Sequence, residues 1–120
     1  MSGTDMTIFC IQIQPDRAPA LDIAQVRELC LQLAENKTVI ARHGVVEGDD
    51  EGPYLNLMFE IVDPIAFWRM FTSRIYDDAI VGADMKAASM ATCTGEDEWE
   101  DYLLLYHYDK KMELDSLDEQ

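Results

Sequence analysis

Positive charge is scarce in this chain. Nine Lys and Arg stand against 24 Asp and Glu in 120 residues, a formal net charge of −15. Nucleic-acid binding without sequence preference rests on basic side chains that neutralise phosphates, so that class is excluded. Long apolar runs are missing too. The longest, Tyr102–Tyr106, falls far short of the roughly 20 residues a helix needs to cross a bilayer, so no membrane span is expected. No basic residue precedes Arg17, and the apolar stretch Thr7–Ile13 is short and interrupted by Gln12. A secretory leader needs a basic opening and a longer apolar segment, so a cytoplasmic protein is expected.

Cysteine and histidine are sparse. Cys10, Cys30 and Cys93 make an odd number with no C-x-x-C pair, which argues against a disulfide framework or a zinc knuckle. Buried free thiols acting as small hydrophobes are expected instead. The two histidines, His43 and His107, belong to no H-x-x-H or H-E-x-x-H pattern. No G-x-S-x-G, P-loop or dinucleotide glycine pattern occurs either, so no catalytic residue, metal or cofactor is assigned.

What is present is a core-forming pattern. Hydrophobic residues make up 48% of the chain, too many for a disordered segment. Thr7–Gln14 is β-rich and reads as a first strand. Asp22 and Gln25 have capping-box spacing, and Val26, Leu29, Cys30 and Leu33 make one apolar stripe, so a helix is predicted over 22–35. Thr38–Val46 reads as a second strand, followed by a turn-rich Glu47–Pro53. Leu55, Leu57, Phe59 and Ile61 then alternate with Tyr54, Asn56, Met58 and Glu60, the cleanest strand in the chain. Asp63-Pro64 marks a second helix over 64–77, with Ile65, Trp68, Phe71 and Ile75 as its apolar face. Met85–Cys93 has a weak period of two and reads as a strand. The segment 96–109 fits a helix or a strand; its tyrosines and the preceding Gly95 favour the strand.

The resulting order is β-α-β-β-α-β, the ferredoxin-like or split βαβ arrangement, with an extra C-terminal strand. The expectation is one α+β domain over 1–111 with two helices on one face of an antiparallel sheet. Residues 112–120 are expected to fray as an acidic tail. RNA-binding modules share this strand order, but their third strand needs a basic residue and alternating aromatics. Here Glu51, Pro53 and Leu55 hold those places.

Two surfaces are candidates for function. The first is the sheet face left uncovered by helices, expected to carry Cys10, Gln12, His43, Tyr54, Asn56, Met58 and Tyr106. Tyrosine suits half-wet surfaces of this kind, so a ligand site or a homodimer contact is one reading. A Cys10–His43 nucleophile–base pair is not expected, because the two strands are about 10 Å apart at roughly 4.8 Å per strand. The second surface is acidic: Glu47, Asp49, Asp50 and Glu51, then Glu96, Asp97, Glu98, Glu100 and Asp101. Clustered negative charge speeds association with a positive surface. The leading expectation is therefore a non-catalytic regulatory or binding protein docking a basic protein partner. A small enzyme or ligand-binding dimer is the alternative.

Overall fold

The computed structural model of the chain describes residues 7–95 and 98–115, with backbone alone for residues 98–102. Strand β1 is Thr7–Ile13, and its alternation buries Phe9, Ile11 and Ile13 completely. A short 3-10 turn, Pro15–Arg17, follows. Helix α1 is Ile23–Leu33; the Asp22 carboxylate caps it by accepting the Gln25 N–H at 3.1 Å. Its buried stripe is Val26, Leu29, Cys30 and Leu33, as the spacing predicts. Strands β2 (Ile40–Asp49) and β3 (Pro53–Ile61) form a hairpin. Helix α2 is Pro64–Phe71, capped by Asp63 and continued by one π-turn, Thr72–Tyr76. Helix α3 (Gly82–Ala88), β4 (Ser89–Gly95) and β5 (Glu98–His107) complete the chain.

The five strands lie in the order β2-β3-β1-β4-β5, and every neighbouring pair is antiparallel. The fold is thus α+β, with a fifth strand at the β4 edge and α1, α2 and α3 packed into one core. An aromatic cluster forms its centre: the Phe9 and Phe67 rings are 4.6 Å apart, and Phe59 and Phe67 are 4.8 Å apart. Among the described residues no helix is long and apolar enough to cross a membrane.

Several boundaries differ from those the sequence suggests. Met85–Ala88 is helical, and the fourth strand begins only at Ser89. Met85 and Ala88 are buried three residues apart while Lys86 and Ala87 are exposed, which is a helical pattern read as a strand. Ile65 is 37% exposed. The buried face of α2 runs through Phe67, Phe71 and Ile75 at four-residue steps, with Trp68 beside it. In the π-turn the Asp77 N–H donates to the Thr72 carbonyl at 2.9 Å, and this wider turn lets both Ile75 and Tyr76 face inward. Strand β2 continues through Glu47, Gly48 and Asp49, leaving only Asp50, Glu51 and Gly52 as the turn. Beyond β5 the chain folds back, and the Asp115 N–H donates to the Leu104 carbonyl at 2.7 Å. The Leu104 N–H in turn donates to the Asp115 carboxylate at 2.8 Å. This contact covers part of an otherwise open strand edge.

Candidate functional site

Residues directly opposite in antiparallel strands share a face, so the pairing register sorts every side chain. Cys10 lies opposite Met58 and Thr92, and Gln12 opposite Asn56 and Met90. Gly44, Val46 and Gly48 lie opposite Met58, Asn56 and Tyr54. Together these residues form the face that the helices leave open. Cys10, Gln12, Tyr54, Asn56 and Met58 stand where the sequence places them.

His43 and Tyr106 do not. Strand β2 carries a bulge: Ile40 pairs with Ile61 but Arg42 pairs with Glu60, so Ala41 is the extra residue. One added residue reverses the parity of everything after it. His43 therefore pairs with Phe59 on the helix side, and its ring stacks on the Phe59 ring at 4.3 Å. Its Nδ1–H donates to the Met58 carbonyl at 2.9 Å. Burial holds its pKa below the usual 6.5, the Met58 bond opposes that, and the Arg27 charge adds to it. Cys10 and His43 thus lie on opposite faces of the sheet. Burial also pushes the Cys10 thiol up, away from the reactive thiolate. A second bulge, at Leu105, does the same to Tyr106, which pairs with Ala91 while Leu104 pairs with Thr92. The Tyr106 ring packs 4.8 Å from Tyr76, and its hydroxyl donates to the Lys86 carbonyl.

The acidic cluster of 47–51 divides in the same way. Glu47 is on the helix side, 3.7 Å from Arg27 of α1. Asp49 turns back on its own hairpin, accepting the Gly52 N–H at 3.4 Å. Only Asp50 and Glu51 face the open end of the sheet. Glu96 and Asp97 lie outside the described residues, as do the side chains of Glu98, Glu100 and Asp101. Among the described residues no group of three or more His, Cys, Asp or Glu is arranged to hold a metal ion.

Asp50 and Glu51 line a cleft of about 590 Å³ with Gln12, Gln14, Asp16, Arg17, Tyr54, Asn56 and Tyr108. It sits where β1 and β5 end and the β2–β3 turn begins. Its floor is a chain of side-chain hydrogen bonds. The Arg17 Nε–H donates to Gln14 Oε1, Gln14 Nε2 donates to Gln12 Oε1 at 2.9 Å, and Gln12 Nε2 donates to Asn56 Oδ1 at 3.1 Å. Arginine can only donate, so it fixes the orientation of the first amide and, through it, the next two. The chain ends on the Asn56 N–H2, which donates to none of the described residues.

The walls are equally specific. The Arg17 guanidinium lies over the Tyr108 ring, 3.9 Å from its centroid, a contact worth about 0.5–1 kcal/mol at an exposed site. Tyr54 lies flat across Gly48, where any side chain would collide with its ring. Glycine is the residue that permits this approach. At the turn, Glu51 has φ +60° and Gly52 has φ +135°. The left-handed backbone at a non-glycine residue costs about 1–2 kcal/mol.

Three carboxylates, Asp16, Asp50 and Glu51, share the cleft with one guanidinium. Yet among the described residues the ion pairs are Arg27–Glu47 at 3.7 Å and Arg42–Glu60 at 3.6 Å; Arg17 is in neither. Sequence reasoning missed Asp16 and Arg17 as members of the site. The signal available was Gln12-x-Gln14, two amides on one strand face running into Pro15-Asp16-Arg17. A second, apolar hollow of about 320 Å³ lies further along the same face over Gly44, between Ile8, Val46 and Met58. No family model, curated protein or solved structure matches this chain.

Proposed function

We propose that the chain is a binding domain that docks a basic protein partner at the acidic end of its open sheet face. The observation that carries this reading is the convergence of Asp16, Asp50 and Glu51 on one open cleft in a chain of charge −15. Exposed charges of this kind raise the association rate with a basic surface and are screened by salt over about 10 Å at 0.1 M. For the fold, the same proposal takes the split βαβ sandwich with β5 added to the β4 edge. In its support, β1 and β2 run parallel with β3 antiparallel between them.

The test is capture of partners from the source lysate at low and high salt, with wild type and with Asp50→Asn/Glu51→Gln. A basic protein held by the wild type at low salt, released at high salt and lost in the variant is the expected result. Capture that is indifferent to salt and to the variant overturns the proposal. A homodimer through the open face is a second reading. It is favoured by the half-buried row Ile8, Cys10, Met58 and Met90 and by Val46, which is 53% exposed. The solution mass from light scattering decides it.

A further inference from the structure

We propose that the cleft reads a basic residue together with a free α-carboxylate. The inference rests on the reading of this cleft as the site for a basic partner, and it names the chemistry that the partner presents there. The cleft holds both signs of charge without letting them pair. Asp16, Asp50 and Glu51 stand on one side, and the Asp16 carboxylate lies against the hairpin turn at Gly52. Arg17 stands on the other, with its Nε committed to Gln14 and its face to the Tyr108 ring. Those two contacts hold the guanidinium in one orientation. Its terminal nitrogens remain as a planar fork that matches a carboxylate.

Ligands of a single sign suit this arrangement poorly. A purely anionic group meets three carboxylates and the charge of the whole chain. A purely cationic group satisfies the carboxylates and leaves Arg17 facing a like charge. A lysine or arginine with a free α-carboxylate satisfies both sides at once. The Asn56 N–H2, at the end of the amide chain, is a donor for a main-chain carbonyl. The volume of about 590 Å³ falls within the roughly 300–1,000 Å³ of small-ligand sites. A protein's basic C-terminal residue and a free basic amino acid share this chemistry.

The experiment is calorimetric titration, at low ionic strength, of a short glycine peptide ending in lysine. One form has the free C-terminal acid and the other the amide; free lysine is titrated in parallel. Replacing the carboxylate by the amide removes one charge-assisted contact, so the acid is expected to bind about tenfold more tightly. In Arg17→Gln, an exposed position, that preference is expected to vanish, while Glu51→Gln weakens both forms. Free lysine binding as well as the peptide acid supports the same chemistry and assigns it to a small molecule. Equal binding of acid and amide overturns the inference and leaves the basic-partner reading standing. No binding of either peptide overturns the inference too, and the basic-partner reading is then judged by the salt dependence of capture alone.

Discussion

Ser89→Ala is expected to cost more than Tyr76→Phe, although it removes the smaller group. Ser89 is fully buried, and Tyr76 is 4% exposed. Serine has one proton, which it donates to the Met85 carbonyl at 2.6 Å. The Tyr76–Ser89 contact at 2.7 Å must then run from the tyrosine hydroxyl to Ser89 Oγ. Burial pushes the Tyr76 phenol well above its ordinary range, so it keeps that proton. Ser89→Ala orphans the buried hydroxyl and the bond to the Met85 carbonyl together. At about 1–3 kcal/mol for each of the two unsatisfied groups, the loss is about 2–6 kcal/mol. Tyr76→Phe leaves Ser89 donating to Met85 and costs about 1 kcal/mol. In the double variant no hydroxyl is left to satisfy, so its cost should fall short of the sum by at least about 1 kcal/mol. Urea denaturation of the four proteins measures the cycle. Additive costs, or a Ser89→Ala cost no larger than that of Tyr76→Phe, refute the direction assigned to these bonds.

Three further outcomes follow from the same geometry. The His43 pKa is lowered in the fold, so the unfolded chain takes up a proton first as pH falls. Its contribution to stability is complete well above pH 6.5 and is lost as pH drops below it. Urea midpoints should therefore fall more steeply below that pH in wild type than in His43→Gln; equal slopes refute the assignment. Burial pushes Cys30 and Cys93 up to about 12 and raises Cys10, which is half-buried. Mass spectrometry after alkylation should find slow modification of Cys10 alone in the native protein and of all three thiols after denaturation. Fast native labelling of Cys30 or Cys93 contradicts the packing. Glu51→Gly relieves the positive φ and should stabilise the fold by about 1 kcal/mol, seen as a higher Tm, while weakening a basic ligand. A lower Tm shows that the Glu51 side chain stabilises the turn.

The elements that follow a single strong period were legible in the sequence. Leu55, Leu57, Phe59 and Ile61 alternate, and they are buried as that alternation requires. Asp22 and Asp63 cap helices because their carboxylates reach the first-turn N–H groups, a local interaction with a local spelling. The fifth strand was legible through its aromatic content against β4. Helix α3 was not, because seven residues give under two turns, and Ala87, Ser89, Ala91 and Cys93 mimic a strand across its end. The choice of Ile65 over Phe67 failed for a related reason. Steps of three and of four fit α2 equally well on paper, and only the packing of Phe67 against Phe9 and Phe59 selects between them.

The site was less legible because face assignment on a strand is a parity argument, and parity fails at a bulge. Ala41 and Leu105 have no sequence mark that sets them apart as extra residues. Yet each moves a candidate, His43 or Tyr106, through the sheet to the helix side. Strands β1 and β3 pair without a break from Thr7–Ile61 to Ile13–Leu55, so Gln12, Tyr54 and Asn56 stayed where alternation put them. The cleft is anchored on this unbroken pair. Its remaining members come from the turns at its end, Asp16 and Arg17 after β1 and Asp50 and Glu51 before β3. Which turns share an end is set by strand order. In this sheet β5 runs parallel to β1 one strand away, which brings Tyr108 to the same end as Arg17 and completes the cleft. A site built in this way, from one regular pair and three chain turns, has no contiguous motif, and its chemistry becomes readable only after the topology is known.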